Sequence, residues 1–137
     1  MRNKSPAING TDQLDPTRVN ADYADQQRYN MSGYTAPKLD TVRIGIIGMG
    51  HRGPSHLKTL IQIEGVEIRG LCDKNPEKVS AALKHLEGTD HAPTLYTDGE
   101  DGWKTLCESD DIDLVFVTSP YYLHAPMSIY AMQQGKH

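Results

Sequence analysis

The sequence contains no long apolar run and very little cysteine, and both shortages exclude classes of protein. No stretch approaches the roughly 20 consecutive apolar residues that cross a bilayer, so we expect no membrane segment. The N-terminus carries no apolar segment of the signal-peptide kind, which predicts a cytoplasmic location. The two cysteines, Cys72 and Cys107, form neither a CxxC motif nor a disulfide framework, and we expect both to be buried free thiols.

Positive charge is scarce as well. The 14 basic side chains are outnumbered by 18 acidic ones, for a net charge of −4. Nucleic-acid-binding proteins usually cluster Lys and Arg, so we expect no nucleic-acid partner. The histidines lack the spacing of metal ligands, and the acidic stretches at 98–101 and 108–113 are unevenly spaced, so we expect no metal site. No Ser/His/Asp or Cys/His arrangement stands out, and the residues assign no catalytic group.

The sequence does contain a glycine pattern directly after a short apolar run. Val42–Ile47 leads into Gly48-x-Gly50-x-x-Gly53, and an apolar pattern at helical spacing follows. Gly48 allows a tight turn, Gly50 lets a pyrophosphate approach the backbone, and Gly53 lets the helix pack close to the strand. The free N–H groups at the helix start would then face the phosphates. Strand, glycine turn and helix together predict a dinucleotide-binding site.

The rest of the chain alternates between strand and helix patterns. Strands are predicted at 42–47, 66–72, 94–96 and 113–117, and helices at about 54–64, 76–87, 103–107 and 125–134. This alternation predicts an α/β fold, a Rossmann-type doubly wound parallel sheet. Such domains usually have six strands, so residues 41–137, with about four, are expected to be a C-terminally truncated dinucleotide-binding domain. Its unpaired sheet edge favours self-association into a homo-oligomer.

The first 40 residues are polar and show no sustained periodicity. They are expected to be an extended arm or a disordered leader. Three scattered tyrosines leave open an arm that packs on its own domain or on a partner subunit: Tyr23, Tyr29 and Tyr34.

Asp73 follows the second predicted strand, 20 residues beyond Gly53. A carboxylate at this position can accept hydrogen bonds from both ribose hydroxyls of an adenosine and would repel a 2′-phosphate, which favours NAD over NADP. The alternative is a solvated Asp that opens a turn. Lys74 beside it keeps NADP open as a second cofactor.

Two further positions belong to the glycine turn, His51 and Arg52. Arg52 could donate a charge-assisted hydrogen bond to the pyrophosphate, or be a surface Arg at a helix start. His51 is expected to offer its backbone N–H rather than its imidazole.

A loop follows the fourth predicted strand and contains Tyr121, Tyr122, Leu123 and His124. Ligands of open α/β sheets bind outside the carboxyl ends of the strands, so we expect this loop beside the nicotinamide. His124 could donate to a cofactor or substrate oxygen, or simply start a helix. The two tyrosines could stack or pack, and Trp103 is expected to be a packing anchor.

These motifs resemble the N-terminal half of the Gfo/Idh/MocA oxidoreductases. The resemblance rests on Val-Arg-Ile-Gly-Ile-Ile-Gly-Met-Gly-His-Arg-Gly at 42–53, Leu-Cys-Asp at 71–73, Asp-Asp-Ile-Asp-Leu-Val-Phe-Val-Thr-Ser-Pro at 110–120 and Leu-His-Ala-Pro-Met at 123–127. Within the family, the His-Arg-Gly turn, the Trp-Lys-x-Leu-Cys-Glu run at 103–108 and His-Ala-Pro-Met are similar to NAD-dependent glycoside hydrolases acting on α-N-acetylgalactosaminides.

The resemblance implies an NAD cofactor and, for a longer parent protein, a carbohydrate substrate. In that branch a sugar hydroxyl is oxidised, the glycosidic bond is lost by elimination, water adds, and the hydride returns. The resemblance places His51 and Arg52 at the cofactor, Asp73 on the adenosine ribose, and residues 121–124 beside the nicotinamide. The family's Glu-Lys-Pro motif would lie beyond His137, so no catalytic residue is named. Two alternatives stay open: a non-catalytic nucleotide-binding or self-associating α/β module, and an S-adenosylmethionine-type domain.

Overall fold

The apolar runs of the sequence form the four strands of one parallel sheet. They are β1 (Val42–Ile47), β2 (Val66–Cys72), β3 (Thr94–Tyr96) and β4 (Leu114–Val117). Their order in the sheet is β3-β2-β1-β4, and every neighbouring pair is parallel. The computed structural model describes residues 38–137, so the predicted arm, except for its last three residues, lies outside the described residues. The predicted Rossmann-type sheet is confirmed.

Four helices connect and follow the strands, and they cover both faces of the sheet. They are α1 (Gly53–Leu60), α2 (Pro76–Leu83), α3 (Gly102–Glu108) and α4 (His124–Gln133). One core lies under α1 and α2 and includes Ile46, Leu57 and Val79. The other lies under α3 and α4 and includes Leu106 and Met127. Two helices on each face make the sheet doubly wound.

The central strand explains why the sequence is apolar without alternation. Successive side chains of a strand point to opposite faces, and here both faces are covered by helices. Ile46 therefore lies in one core and Ile47 in the other. Cys72 of β2 and Cys107 of α3 share the second core, and both are buried free thiols, as predicted.

The start of α2 agrees with the prediction from its local sequence, whereas the end of α1 does not. Asn75 caps α2, because its side chain accepts a hydrogen bond from the Glu77 N–H at 2.9 Å. The prediction that α1 continues to about residue 64 is wrong, since the helix ends at Leu60 and gives way to turns. After Leu60 the N–H groups of Gln62 and Ile63 bond three residues back rather than four. Gly65, with φ of +79°, then turns the chain towards β2 and accepts a hydrogen bond from the Val42 N–H at 2.7 Å.

The edge of the sheet at β4 is bordered by the last residue of the sequence. The Val115 N–H donates to the His137 carbonyl at 2.7 Å, and the His137 N–H donates to the Asp113 carbonyl at 3.0 Å. The backbone at residue 137 therefore runs along β4. Among residues 38–137, no helix has the length and apolar character needed to cross a bilayer.

Candidate cofactor-binding site

The carboxyl end of β1 opens into the glycine turn, and the turn is held from two sides. Gly48 has φ of +100°, a conformation that side-chain-bearing residues rarely adopt, and its N–H donates to the Cys72 carbonyl at 2.7 Å. The Thr118 hydroxyl, at the end of β4, lies 2.6 Å from the Gly48 carbonyl oxygen and donates to it. A Cβ on Gly53 would lie 2.0 Å from that same oxygen, so only glycine lets α1 start this close to the turn.

Gly50, in the middle of the turn, faces open space. A Cβ built on it would meet only one neighbour within 4 Å, the Nζ of Lys78 at 4.0 Å. Lys78 belongs to the first turn of α2, so the ammonium group comes from a different element and lies near the glycine backbone. This part of the turn is therefore accessible and has a cation beside it.

Asp73 links the glycine turn to the start of α2. One carboxylate oxygen accepts the Met49 N–H at 2.8 Å, and the other accepts the Asn75 N–H at 2.9 Å. Each carboxylate oxygen has two lone-pair sites, so both oxygens can still accept a hydroxyl hydrogen. The carboxylate thus fixes the shape of the turn and keeps capacity for a diol.

The cation next to Asp73 has a partner of its own. The Lys74 ammonium lies 2.9 Å from a carboxylate oxygen of Glu100, and both side chains are exposed. The pKa of Lys74 is raised, chiefly by this hydrogen bond. Glu100 lies on a 3₁₀ turn after β3 (Gly99–Asp101), so the ion pair joins two loops at the carboxyl edge of the sheet.

The loop after β4 approaches the same edge. The Ser119 hydroxyl oxygen is buried and has no hydrogen-bond partner among the described residues. His124 Nε2 lies 2.6 Å from the Ser119 carbonyl oxygen, so the imidazole bonds to its own loop and Nε2 carries the hydrogen of that bond. Tyr121 is 86% exposed, and its ring lies edge-on to that of Tyr122 at 6.0 Å.

These groups surround one cavity of about 540 Å³. Seven predicted site residues line it: Gly48, Gly50, His51, Arg52, Asp73, Tyr122 and Leu123. The other three do not: Gly53 is buried beneath the turn, Tyr121 points to solvent, and His124 bonds to Ser119. A second cavity, of about 390 Å³, lies at 66–69 and 90–92, near the amino end of β2.

Several residues that line the larger cavity were missed by sequence reasoning. They are Lys78, Glu100, Trp103 and Thr118, among others. The position of Thr118 directly after an apolar strand is a signal that could have found it. Lys78 and Glu100 carried no such signal, because their place at the site comes from tertiary packing. Trp103 is a packing residue and also a cavity residue. Its ring lies edge-on to that of Tyr130 at 5.3 Å, and it lines the cavity.

The cavity suits a dinucleotide on physical grounds. An open glycine backbone lies at the start of a helix, where N–H groups and the helix dipole favour phosphate. The carboxylate of Asp73 can accept from hydroxyls, and the unpartnered hydroxyl of Ser119 can form a hydrogen bond with a polar ligand atom. Arg52 and Lys78 add positive charge to an otherwise acidic chain.

A family model described as an oxidoreductase family with an NAD-binding Rossmann fold matches residues 42–137. The chain belongs to the Gfo/Idh/MocA oxidoreductase family. It is an NAD-binding domain of that family, and NAD is its cofactor. The fold, the family and the cofactor predicted from the sequence are therefore confirmed.

Curated relatives share much of the sequence. The chain is similar to glycosyl hydrolase family 109 protein 1 of Phocaeicola vulgatus, at 49% identity over 104 residues, which is 75% of this chain and 22% of that protein. It is also similar to the glycosyl hydrolase family 109 protein of Porphyromonas gingivalis, at 48% identity over 74% of this chain and 22% of that protein. The chain thus spans less than a quarter of the length of these relatives.

Solved structures share the fold. Apo scyllo-inositol dehydrogenase from Lactobacillus casei aligns with a TM-score of 0.61 and 26% identity, over 74% of this chain and 28% of that one. The form of that enzyme with bound NAD(H) and scyllo-inositol aligns with a TM-score of 0.57 and 28% identity, over 71% of this chain and 26% of that one.

Proposed function

We propose that this domain holds NAD at the carboxyl edge of its sheet for an enzyme that acts on a carbohydrate or a related polyol. The observation that carries the proposal is the carboxylate of Asp73, which lines the cavity and is hydrogen-bonded to the glycine turn. The printed names of the relatives support the substrate class, since they are glycosyl hydrolases and inositol dehydrogenases. Both kinds of protein act on polyhydroxylated molecules.

The cavity can be divided by chemistry. On the phosphate side, Gly50, the N–H of His51 and the guanidinium of Arg52 would hold the pyrophosphate. Asp73 would accept the hydroxyls of the adenosine ribose. Ser119, Tyr122 and Leu123 would border the nicotinamide side.

Two predicted site residues of this loop, His124 and Tyr121, do not line the cavity, and the proposal gives each a different role. His124 would fix the loop through its bond to the Ser119 carbonyl. Tyr121, which is exposed, would be available to a neighbouring part of a longer protein.

When bound, NAD supplies the acceptance and return of a hydride, and the domain supplies position. The residues after β4 exclude water from one side of the cavity, because half-buried Leu123 and buried Met127 form an apolar border. The groups that would move protons on the substrate are not assigned within this chain. Oxidoreductase and glycosidase therefore remain two versions of one proposal, with the same cofactor role for this domain.

The proposal is tested by a thermodynamic cycle on the ribose. Calorimetric titrations would compare NAD with 2′-deoxy-NAD on the unmodified chain and on Asp73→Ala. Removing the hydroxyl is expected to weaken binding by about 10-fold on the unmodified chain and to have no effect on the variant, because its partner is gone. Asp110→Ala, an exposed carboxylate outside the cavity, is the matched control.

The thermodynamic cycle distinguishes two roles of Asp73, recognition of the ribose hydroxyl and support of the glycine turn. Asp73→Ala also removes the bonds to Met49 and Asn75, so a uniform loss for both cofactors would indicate support alone. If 2′-deoxy-NAD binds the unmodified chain as tightly as NAD does, the ribose role of Asp73 is wrong. If neither cofactor binds, the proposed function itself fails.

A further inference from the structure

We propose that Lys78 is the cation that binds the cofactor's pyrophosphate above Gly50. The inference rests on the proposed function and goes beyond it by assigning a phosphate contact to α2, outside the glycine motif. It concerns a residue that the sequence pattern did not mark.

Lys78 lies close to the middle glycine of the turn. The second glycine of a dinucleotide turn lets the pyrophosphate approach the backbone, and Gly50 is that glycine. The Nζ of Lys78 lies 4.0 Å from the point where a Gly50 side chain would begin, and no other group lies within that distance. A phosphate resting on Gly50 would therefore come within reach of the ammonium group, which forms charge-assisted hydrogen bonds at about 2.7–2.9 Å.

The two lysines at the cavity differ in their ion pairing. Lys74 is paired with Glu100 at 2.9 Å. Lys78 makes no ion pair within residues 38–137, although acidic groups are near in the sequence. Among the described residues, the partners of the Asp73 carboxylate are the N–H groups of Met49 and Asn75, and Lys78 is not one of them. The ammonium of Lys78 is thus free for an anion from outside the protein.

The position of Lys78 at the start of α2 is electrostatically unfavourable for a cation. Lys78 is the third residue of α2, and the first turn of a helix carries the positive end of the helix dipole. A cation there is placed against the dipole, whereas acidic residues are favoured. A bound phosphate would relieve this conflict, because its negative charge would interact favourably with the ammonium and with the positive end of the helix dipole.

The inference is tested by removing the charge while keeping the apolar stem. Lys78→Met is expected to weaken NAD and ADP-ribose by about 10-fold, the lower end for a hydrogen bond to a charged group, and to leave adenosine unchanged. The loss should shrink as NaCl is raised, since screening weakens the lost attraction. Lys78→Arg should retain most of the affinity. Lys84→Met, an exposed lysine outside the cavity, should bind like the unmodified chain.

The outcomes are distinct. Unchanged NAD affinity in Lys78→Met would overturn the inference while leaving the proposed function in place. An equal loss for adenosine would overturn it too, because adenosine has no phosphate. A loss confined to NADP would reassign Lys78 to the 2′-phosphate. Failure of the unmodified chain to bind NAD or ADP-ribose would instead reject the proposed function. Unfolding curves without ligand, expected to superimpose, would show that the variants remain folded.

Discussion

At the scale of single residues, the site is defined by how two neighbouring lysines are used. Lys74 and Lys78 both line the cavity, but within residues 38–137 only Lys74 has a carboxylate partner. A sequence shows that both are basic and close to Asp73, and it cannot show which one is neutralised, because Glu100 comes from a loop 26 positions away. The sequence left NADP open because of Lys74. The ion pair with Glu100 gives a physical reason why that cation is not free for a 2′-phosphate.

The pair leads to a prediction about cofactor choice. Glu100→Gln removes the carboxylate that holds Lys74, so the freed ammonium can interact with a 2′-phosphate near Asp73. We expect NADP affinity to rise about 3-fold relative to NAD, a modest gain because the pair is exposed. Parallel titrations with both cofactors would measure the ratio. Glu87→Gln changes the net charge equally at an exposed site and should leave the ratio as it is. An unchanged ratio in Glu100→Gln would contradict the idea.

At the scale of elements, the sequence was informative about what each segment becomes and less so about where it ends. Buried strands were found from their apolar runs, and α2 from its local Asn-Pro start. After α1, the bond between Gly65 and Val42 pairs residues 23 positions apart and leaves no local pattern. The glycine turn lies between these cases: its motif was visible, but its two supports from Asp73 and Thr118 were not.

Two glycines of the turn should respond differently to the same change. Gly53→Ala puts a methyl group 2.0 Å from the Gly48 carbonyl oxygen, so α1 or the turn must move. We expect a loss of about 3 kcal/mol in the free energy of unfolding, together with loss of NAD binding. Gly50→Ala has room for its methyl group and a backbone that tolerates it, so stability should change by less than about 1 kcal/mol.

Urea unfolding and NAD titration of both variants would measure these effects. Gly50→Ala should still weaken NAD binding, because the methyl group occupies the place where a phosphate would approach. Equal stability of the two variants would refute the close contact at Gly53. Full NAD affinity in Gly50→Ala would refute the approach at Gly50.

At the scale of the whole molecule, the two ends of the sheet have different roles. The carboxyl end holds the cavity, and the amino end holds charges that join β1 to β4. Arg43 donates to both carboxylate oxygens of Asp113, at 2.9 Å and 2.6 Å, and lies 3.2 Å from Asp111. Its backbone N–H also donates to Asp113 at 2.9 Å. These bonds lower the pKa of Asp113, with the hydrogen bonds from the Arg43 side chain as the largest cause.

The lowered pKa of Asp113 predicts how the free energy of unfolding depends on pH. A carboxyl whose pKa is lower in the folded state adds stability that is complete above its unfolded pKa of about 4 and is lost as pH falls through the folded value. Asp113→Asn should therefore cost about 1–2 kcal/mol at pH 7 and progressively less below pH 4. Chemical unfolding at several pH values would measure it. Asp110→Asn, at an exposed neighbouring site, should show neither effect. A constant difference across pH would contradict the assignment.

Other expectations at this scale stay predictions. The sequence anticipated a homo-oligomer, a polar arm, a cytoplasmic location and no nucleic-acid partner, and the contacts within residues 38–137 do not bear on them. Their evidence lies in the residue pattern of the sequence and, for the homo-oligomer, in the expected unpaired sheet edge, and neither reports on the surroundings of the chain. The fold could be predicted because repeated βα units depend on local periodicity, whereas oligomers and arms depend on surfaces that have no period.

The two buried thiols provide a way to measure the opening of the core. Burial raises the pKa of Cys72 to about 12 and that of Cys107 to about 11, so neither forms thiolate at neutral pH while the core is closed. Alkylating reagents attack the thiolate, and labelling must therefore wait for an opening event. Cys72 also lines the cofactor cavity, so NAD should slow its labelling in proportion to occupancy. The rate of thiol labelling would therefore measure how often the core opens, and the labelling of Cys72 would also report whether the cavity is filled.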